Sequence, residues 1–177
     1  MPTYIACGVQ DNANPAPRDY WEQEFKDYQE IGIHFAAAYM PEVGHTVPPY
    51  VIDPIYGYNY YNSFWAFIEY YLKDAAPEVM YTGVEVNGTV DTKDKGLFIY
   101  FSAPITEWSL LKSVSVTDSN GNEVEGTWIA DCGGSRWVFD TDGFVAGSKY
   151  TLTLANTAAD INNNTIKDGV TQTFTAK

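Results

Sequence analysis

The spacing of apolar residues changes once along this chain, at about Tyr81, and this change constrains the fold more than any other feature. Before it, short apolar runs alternate with apolar residues three and four positions apart, which is typical of alternating strands and helices. After it, apolar residues occupy every second position of short segments separated by turn residues, which is typical of antiparallel strands. The sequence therefore predicts two domains of different fold class, residues 1–80 and residues 81–177.

The first half predicts an α/β unit of strand, helix, strand, long loop and helix. Tyr4–Val9 and Ile33–Tyr39 are short apolar runs that fit parallel strands covered on both faces. Residues 17–31 between them have helical spacing, and a proline-containing loop over residues 40–61 leads to a helix over Ser63–Leu72. Because this β-α-β-loop-α unit lacks neighbours for its sheet, we expect self-association through an exposed sheet edge.

The second half predicts about seven half-buried antiparallel strands, the size and rhythm of an all-β Ig-like sandwich. Asn120-Gly121 predicts a two-residue hairpin turn between Ser113–Thr117 and Val124–Ile129, because both turn positions tolerate positive φ. The alternating segments are marked by Val84 and Val86, Leu97–Phe101, Val114–Val116, Val124–Ile129, Trp137–Phe139, Tyr150–Leu154 and Val170–Thr175.

Composition excludes several classes of function. Asp and Glu number 23 against 10 Lys and Arg, and the net charge of -13 repels nucleic acid. No run approaches the roughly 20 apolar residues that span a bilayer, so membrane insertion is not expected. Cys7 and Cys132 are too few for a disulfide scaffold or a zinc site, and we expect free thiols and no cofactor.

Two side chains in the first half suggest acid–base chemistry. No serine lies in G-x-S-x-G, the turn that exposes a nucleophilic hydroxyl, and His34 lies within a strand of small apolar residues. His45 follows the second strand, and Asp11 follows the first at the equivalent end. If the strands are parallel neighbours, Asp11 can accept a hydrogen bond from the His45 ring and orient it as a general base.

The order Gly8-x-x-Asp11, helix, strand, Gly44-His45 and helix resembles the carboxyl-terminal part of an α/β-hydrolase, over about residues 3–76. The resemblance implies a carboxylic-ester hydrolase with Asp11 as triad acid, His45 as triad base and a small ester as substrate. The nucleophile elbow of that family has no counterpart here, so a nucleophile would come from an upstream segment or another chain. Four aromatic residues would border the substrate pocket: Tyr56, Tyr58, Tyr60 and Trp65.

The second half resembles bacterial Ig-like modules attached to secreted enzymes and surface proteins, over about residues 82–177. The likeness is carried by Val84–Val90, Gly96–Ile105 and Asp160–Asn164. It implies spacing, folding support or attachment, and an extracellular or cell-surface location for the parent protein. The start of this chain shows no signal peptide.

Two alternative functions are compatible with the same residues. A non-catalytic carbohydrate-binding or cell-surface interaction module would use the sandwich and the aromatic loop over residues 56–61 to hold a glycan. A glycoside hydrolase would use two carboxylates, such as Glu22/Glu24 or Glu123/Glu125.

The alternation Asp160, Asn162, Asn164 resembles the start of a calcium loop. In such a loop a bidentate Glu is needed at the twelfth position, where this chain has Thr171. No metal site is therefore expected.

Overall fold

Two four-stranded sheets packed face to face form the second half of the chain. The computed structural model describes residues 3–8, 23–24, 27–28, 31, 35–40, 66–68, 70, 75–92 and 96–177. The strands are β1 (Thr3–Gly8), β2 (Phe35–Met40), β3 (Val79–Thr82), β4 (Thr89–Val90), β5 (Leu97–Phe101), β6 (Val114–Asp118), β7 (Thr127–Asp131), β8 (Arg136–Asp140), β9 (Lys149–Leu154) and β10 (Val170–Ala176).

The strand order is β3-β5-β8-β7 in one sheet and β4-β10-β9-β6 in the other. Pairing is antiparallel throughout these two sheets except between β10 and β4, which run parallel. Strands β3 and β4 each lie at the edge of their sheet, and the chain passes from one sheet to the other between them. The predicted all-β Ig-like sandwich is confirmed, and helix α1 (Glu107–Ser113) and a 3₁₀ turn (Cys132–Gly134) connect its strands.

The core lies between the two sheets, where alternate residues of each strand point inward. Leu97 and Ile99 of β5 and Leu152 of β9 are fully buried there, and Phe174 of β10 is 1% exposed. Helix α1 adds Leu110. Each such side chain contributes roughly 1.5–3 kcal/mol by leaving water, so this interdigitation is the main stabilising term of the sandwich.

Two expectations for the second half were wrong in detail. Val84 and Val86 belong to no strand, because the chain bends between the sheets there, with Gly88 at φ +77°, and Val86 is 72% exposed. Helix α1 was not predicted. Its 7 residues are too few for a helical period to appear in the sequence.

The hairpin prediction at Asn120-Gly121 was partly right. Gly121 has φ +83°, but Asn120 does not take positive φ, and the Asp118 N–H donates to Asn122 O at 2.8 Å, so the loop is one residue longer than predicted. The Val124 N–H donates to Val116 O at 2.8 Å. The pairing then stops, since β6 continues against β9 and β7 against β8 in the other sheet. The chain crosses at Gly126, where a Cβ would lie 2.4 Å from Phe139 Cζ. Only glycine allows this approach over the ring.

In the first half, β1 and β2 form a parallel pair, as the apolar runs predicted. Residues 23–24, 27–28, 66–68 and 70 are helical, within the two predicted helices. The α/β-hydrolase-like part as a whole is not evident in the described residues. No helix in the described part of the chain has the length and apolar character to cross a membrane.

Candidate functional site

The predicted catalytic and pocket residues all lie outside the described part of the chain. These are Asp11, His45, Tyr56, Tyr58, Tyr60 and Trp65. The strands that precede the first two are described: β1 and β2 are in register from Thr3 opposite Phe35 to Gly8 opposite Met40. Because the strands are parallel, their carboxyl ends meet at one edge of the sheet.

The described residues place a different cluster on the outer face of the β3-β5-β8-β7 sheet. Tyr81, Tyr100, Arg136 and Asp131 lie opposite one another on the four successive strands, and we call these four residues the outer row. They face away from the core that Leu97, Ile99 and Phe101 enter, since neighbouring residues of a strand point to opposite faces.

The outer row is joined by aromatic and ionic contacts. The Tyr81 and Tyr100 rings stack at 4.9 Å between centroids. The Arg136 guanidinium carbon lies 4.4 Å from the Phe98 ring centroid and 5.5 Å from that of Tyr100. Arg136 Nη1 donates to Asp131 Oδ2 at 2.9 Å. A cation over two rings and beside a carboxylate is held by both dispersion and electrostatics.

These groups are nearly inaccessible to solvent. Phe98 and Tyr100 are each 3% exposed, Asp131 is 8% exposed and Arg136 is 9% exposed. Burial raises the pKa of Tyr100 well above its usual range. Burial opposes the charged form of Arg136, but the surrounding groups, among them the Asp131 carboxylate, together outweigh it and raise the pKa of Arg136 above its usual range. The guanidinium therefore stays charged inside the protein.

The turn after Asp131 is fixed by hydrogen bonds. Asp131 Oδ1 accepts the Cys132 N–H at 2.8 Å, and Ser135 Oγ donates to Cys132 O at 2.7 Å. The Trp137 indole N–H donates to Gly134 O at 3.0 Å. Cys132 is a free thiol, as expected, and is fully buried, with Sγ 3.6 Å from the Tyr100 hydroxyl. It is therefore not a surface nucleophile.

Burial of the outer row is unusual for a two-layer sandwich. Two packed sheets cover only each other's inner faces, so the outer face of an isolated sandwich contacts water. All five residues of β5 are nevertheless buried, where half-buried strands were predicted. Strand β2 lies beside the Cys132–Gly134 turn at the end of this face. Three members of the outer row, Tyr100, Arg136 and Asp131, are therefore shielded from solvent on this face.

A groove of about 340 Å³ opens where the edge strand β3 approaches the first residues of β10. Val79, Val84 and Val170 give it apolar walls. Thr82 and Gln172 also line it, and Thr82 Oγ1 donates to Gln172 Oε1 at 2.6 Å across the two sheets. This edge groove combines an apolar surface with a small number of polar groups, as ligand sites commonly do.

The Asp160 loop does not resemble a cation site in its hydrogen bonding. Asp160 Oδ1 accepts the N–H groups of Asn162 and Asn164 at 2.8 Å each, and Oδ2 accepts the Asn164 side-chain amide at 3.2 Å. Both carboxylate oxygens are thus engaged within the loop itself. Among the described residues no group of three His, Cys, Asp or Glu side chains could hold a metal ion.

Two further surface features carry side chains of the kinds that contact ligands. Glu123 and Glu125 are exposed, so the glycoside-hydrolase alternative gains no oriented carboxylate pair from this half of the chain. Trp108 and Leu111 of α1 are 56% and 50% exposed, and Lys112 Nζ lies 5.1 Å from the Trp108 ring centroid. Neither set adjoins the outer row in the strand register.

Sequence reasoning missed the outer row and the edge groove. The run Leu97–Phe101 is apolar at all five positions, which signals a strand buried on both faces. Its alternate residues alone predict a half-buried strand. Arg136 and Asp131 carried no comparable signal, because their pairing depends on the register of β7 with β8.

Comparison with known proteins agrees with the sandwich. The family model described as "Bacterial Ig-like domain" matches residues 73–176. A crystal structure of native Escherichia coli alpha-2-macroglobulin spanning domains MG0-NIE-MG1 is similar at 16% identity and TM-score 0.45, covering 58% of this chain and 32% of that one. Domains 1–6 of the surface layer protein SbsC are similar at 18% identity and TM-score 0.41, covering 59% of this chain and 14% of that one.

The cryo-EM reconstruction of native Escherichia coli alpha-2-macroglobulin is similar at 18% identity and TM-score 0.40, covering 46% of this chain and 5% of that one. Each likeness thus spans a third or less of the solved chain. No curated protein matches the sequence. The family match covers more than half of the chain and coincides with the sandwich, so this chain belongs to the bacterial Ig-like domain family.

Proposed function

We propose that this chain acts as a non-catalytic interaction module of a bacterial extracellular or cell-surface protein. In this proposal the Ig-like sandwich holds the preceding segment, residues 1–74, against the outer row. The observation that carries it is the burial of Arg136 and Asp131 on a face that an isolated sandwich would expose. An ion pair in such a place needs a complementary layer around it, or water would replace the contacts.

Limited proteolysis of the full chain tests this support role. Arg136→Met removes the guanidinium but keeps a long apolar side chain, and it should expose the segment before Ala75 to thermolysin several-fold faster than in the wild type. Lys112→Met on exposed α1 is the matched control and should digest at the wild-type rate. Equal digestion of the Arg136→Met and wild-type proteins would contradict the proposal.

The cell-surface location rests on membership in the bacterial Ig-like domain family. Protease treatment of intact cells of the source bacterium tests it, with a cytoplasmic enzyme as internal control. Loss of this chain while the control survives is the expected result. Survival of both would contradict the location but not the support role.

A second candidate function is the ester hydrolase that the first half resembles. It is favoured by the parallel register of β1 and β2, which brings the strand ends before Asp11 and His45 to one edge. In that mechanism the His45 ring would take the proton of a serine supplied from outside this chain, and Asp11 would orient the imidazole. Ester hydrolysis by the complete parent protein, lost on His45→Ala, would support it. Unimpaired turnover would remove His45 from the mechanism.

A further inference from the structure

Strand β10 is paired along its whole length on one side only. On the β9 side, pairing runs from Val170 to Thr175. On the other side, β4 pairs with β10 only at Thr175 and Ala176. There the Thr175 N–H donates to Gly88 O at 2.9 Å. The first part of β10 therefore has one edge with no strand beside it in the described part of the chain.

The direction of the free groups follows from the alternation of an antiparallel ladder. The Ala176 N–H donates towards β9, to Ser148 O at 3.0 Å, while its neighbour Thr175 donates the other way. The N–H and C=O groups of Thr171 and Thr173 therefore point in the same direction as those of Thr175. No described strand receives them, and the side chains of both residues are exposed.

The edge groove lies directly beside these free groups. Val170 and Thr171 line it from β10, and Val79 and Val84 line it from the segment around β3. Among the described strands, β3 is the last of its sheet and is paired only with β5. Both sheets thus end at the same groove, with hydrogen-bonding backbone on one wall and apolar side chains on the other.

We infer that the edge groove binds an extended peptide segment of another protein, which adds as a short strand to β10 at Thr171 and Thr173. This inference rests on the proposed function as an interaction module and names its partner. An open strand edge supplies N–H and C=O groups in the spacing that an extended chain matches. Alternate side chains of the added strand would enter the space between Val79, Val84 and Val170.

Charge selects the kind of peptide. The chain carries a net charge of -13, which favours a neutral or basic segment over a second copy of this chain as the occupant of the groove. A sugar ring fits the groove less well. The aromatic residue that lines it in the described part of the chain, Tyr81, already packs against Tyr100 at 4.9 Å and against Phe98 at 5.6 Å. The backbone groups of Thr171 and Thr173 are therefore the main recognition element.

The probe for the test is a fluorescent peptide of alternating valine and threonine flanked by lysines, Lys-Lys-(Val-Thr)₃-Lys-Lys. We expect saturable binding to the full chain by fluorescence anisotropy. Thr171→Pro removes the free N–H without touching the β9 ladder and should weaken binding at least tenfold. Thr171→Val is the matched control, because it removes the hydroxyl but keeps the N–H, and should bind within twofold of the wild type.

Backbone amide NMR of the wild-type chain is the second readout and does not depend on a variant that folds. Added peptide should slow the hydrogen exchange of the Thr171 and Thr173 amides. Equal binding by the Thr171→Pro and wild-type chains would overturn the inference, as would unchanged exchange at both amides. Self-association of the free chain that Thr171→Pro abolishes, without peptide binding, would also overturn it and identify a second copy as the occupant.

A peptide of opposite charge tests whether electrostatics select the ligand. The same peptide flanked by glutamates should bind at least tenfold more weakly, and equal binding would refute electrostatic selection. Failure of this inference is distinguishable from failure of the proposed function. The thermolysin experiment on Arg136→Met reports the outer row, which no substitution at Thr171 alters.

Discussion

Arg136 and Asp131 form an ion pair on the outer face of a sheet, with Nη1 and Oδ2 2.9 Å apart and each side chain 10% exposed. Directly opposed on β8 and β7, they are held in place by the strand register. Asp131 also accepts the Cys132 N–H, and the Arg136 guanidinium packs on the Phe98 ring. Among the described residues Arg136 Nε has no hydrogen-bond partner, so the pair with Asp131 is its main polar compensation.

Replacing one partner of this ion pair should lower the free energy of unfolding. Arg136→Met leaves Asp131 buried without its cation and should lower the free energy of unfolding by about 3–5 kcal/mol. Asp131→Asn keeps the contact with the Cys132 N–H and removes only the charge. The double variant should cost clearly less than the sum of the two single variants. Urea unfolding of the four proteins measures this coupling, and strict additivity would show that the two charges do not interact.

Truncating Phe98 on the outer face of the β3-β5-β8-β7 sheet should lower the free energy of unfolding as much as truncating a core residue does. Phe98→Ala should destabilise the full chain by about 3–5 kcal/mol, because Phe98 is 3% exposed and its loss would leave a cavity. Ile129→Ala is the matched control on the same sheet face, where Ile129 is 48% exposed, and should cost under about 1 kcal/mol. Thermal and urea unfolding compare the two. Similar small losses for both variants would show that the face is open.

The sequence predicted those features of the fold that depend on neighbouring residues and not those that depend on contacts between distant strands. Alternation in Tyr150–Leu154 and the turn residues at Asn120-Gly121 identified strands and turns, because both depend on neighbouring residues. The change of sheet at Gly126 was not predictable, since it depends on the close approach to Phe139. The outer row was not predictable either, because it joins four strands through registers that only the folded sheet defines. The predicted catalytic pair Asp11 and His45 stays a prediction.

Two loops of the sandwich share one hydrogen-bond pattern but differ in burial. Asp118 accepts the N–H groups of Asn120 and Asn122 as Asp160 accepts those of Asn162 and Asn164. Asp160 is 2% exposed, and Asp160→Ala should cost about 2–3 kcal/mol through its lost hydrogen bonds.

The Asp118→Ala variant serves as the matched control for that loop. Its carboxylate lies at the surface, where water replaces the lost partners, so its loss of thermal stability should be the smaller of the two. A larger loss at Asp118 than at Asp160 would contradict the role of burial. Isothermal titration with calcium should give no heat of binding for either loop, because the carboxylate oxygens already accept loop N–H groups.

The stability of the sandwich should depend on acid through Glu85. A hydrogen bond from Lys177, followed by those from Thr89 and Asn87, lowers the pKa of this carboxyl below its usual value of 4.5. Because the folded pKa is the lower one, the charged form stabilises the fold above the unfolded pKa. That stabilisation is lost as the pH falls through the folded value.

The difference in urea midpoint between the wild type and Glu85→Gln should therefore be present at pH 6 and shrink as the pH falls through the lowered pKa of Glu85. Glu125→Gln makes the same change of charge at an exposed site and controls for the overall charge of the chain. A wild-type advantage over Glu85→Gln that stays constant from pH 6 to pH 3 would rule out this linkage.

The proposed support role depends on the burial of Phe98, Tyr100 and Arg136 on the outer face of the sheet. Hydroxyl-radical footprinting of the native full chain measures this directly, since aromatic side chains are oxidised in proportion to their exposure. Phe98 and Tyr100, each 3% exposed, should stay unmodified under conditions that oxidise Trp108, which is 56% exposed. Oxidation of Phe98 and Tyr100 at rates comparable to that of Trp108 would show that this face is open to solvent and contradict the proposed support role.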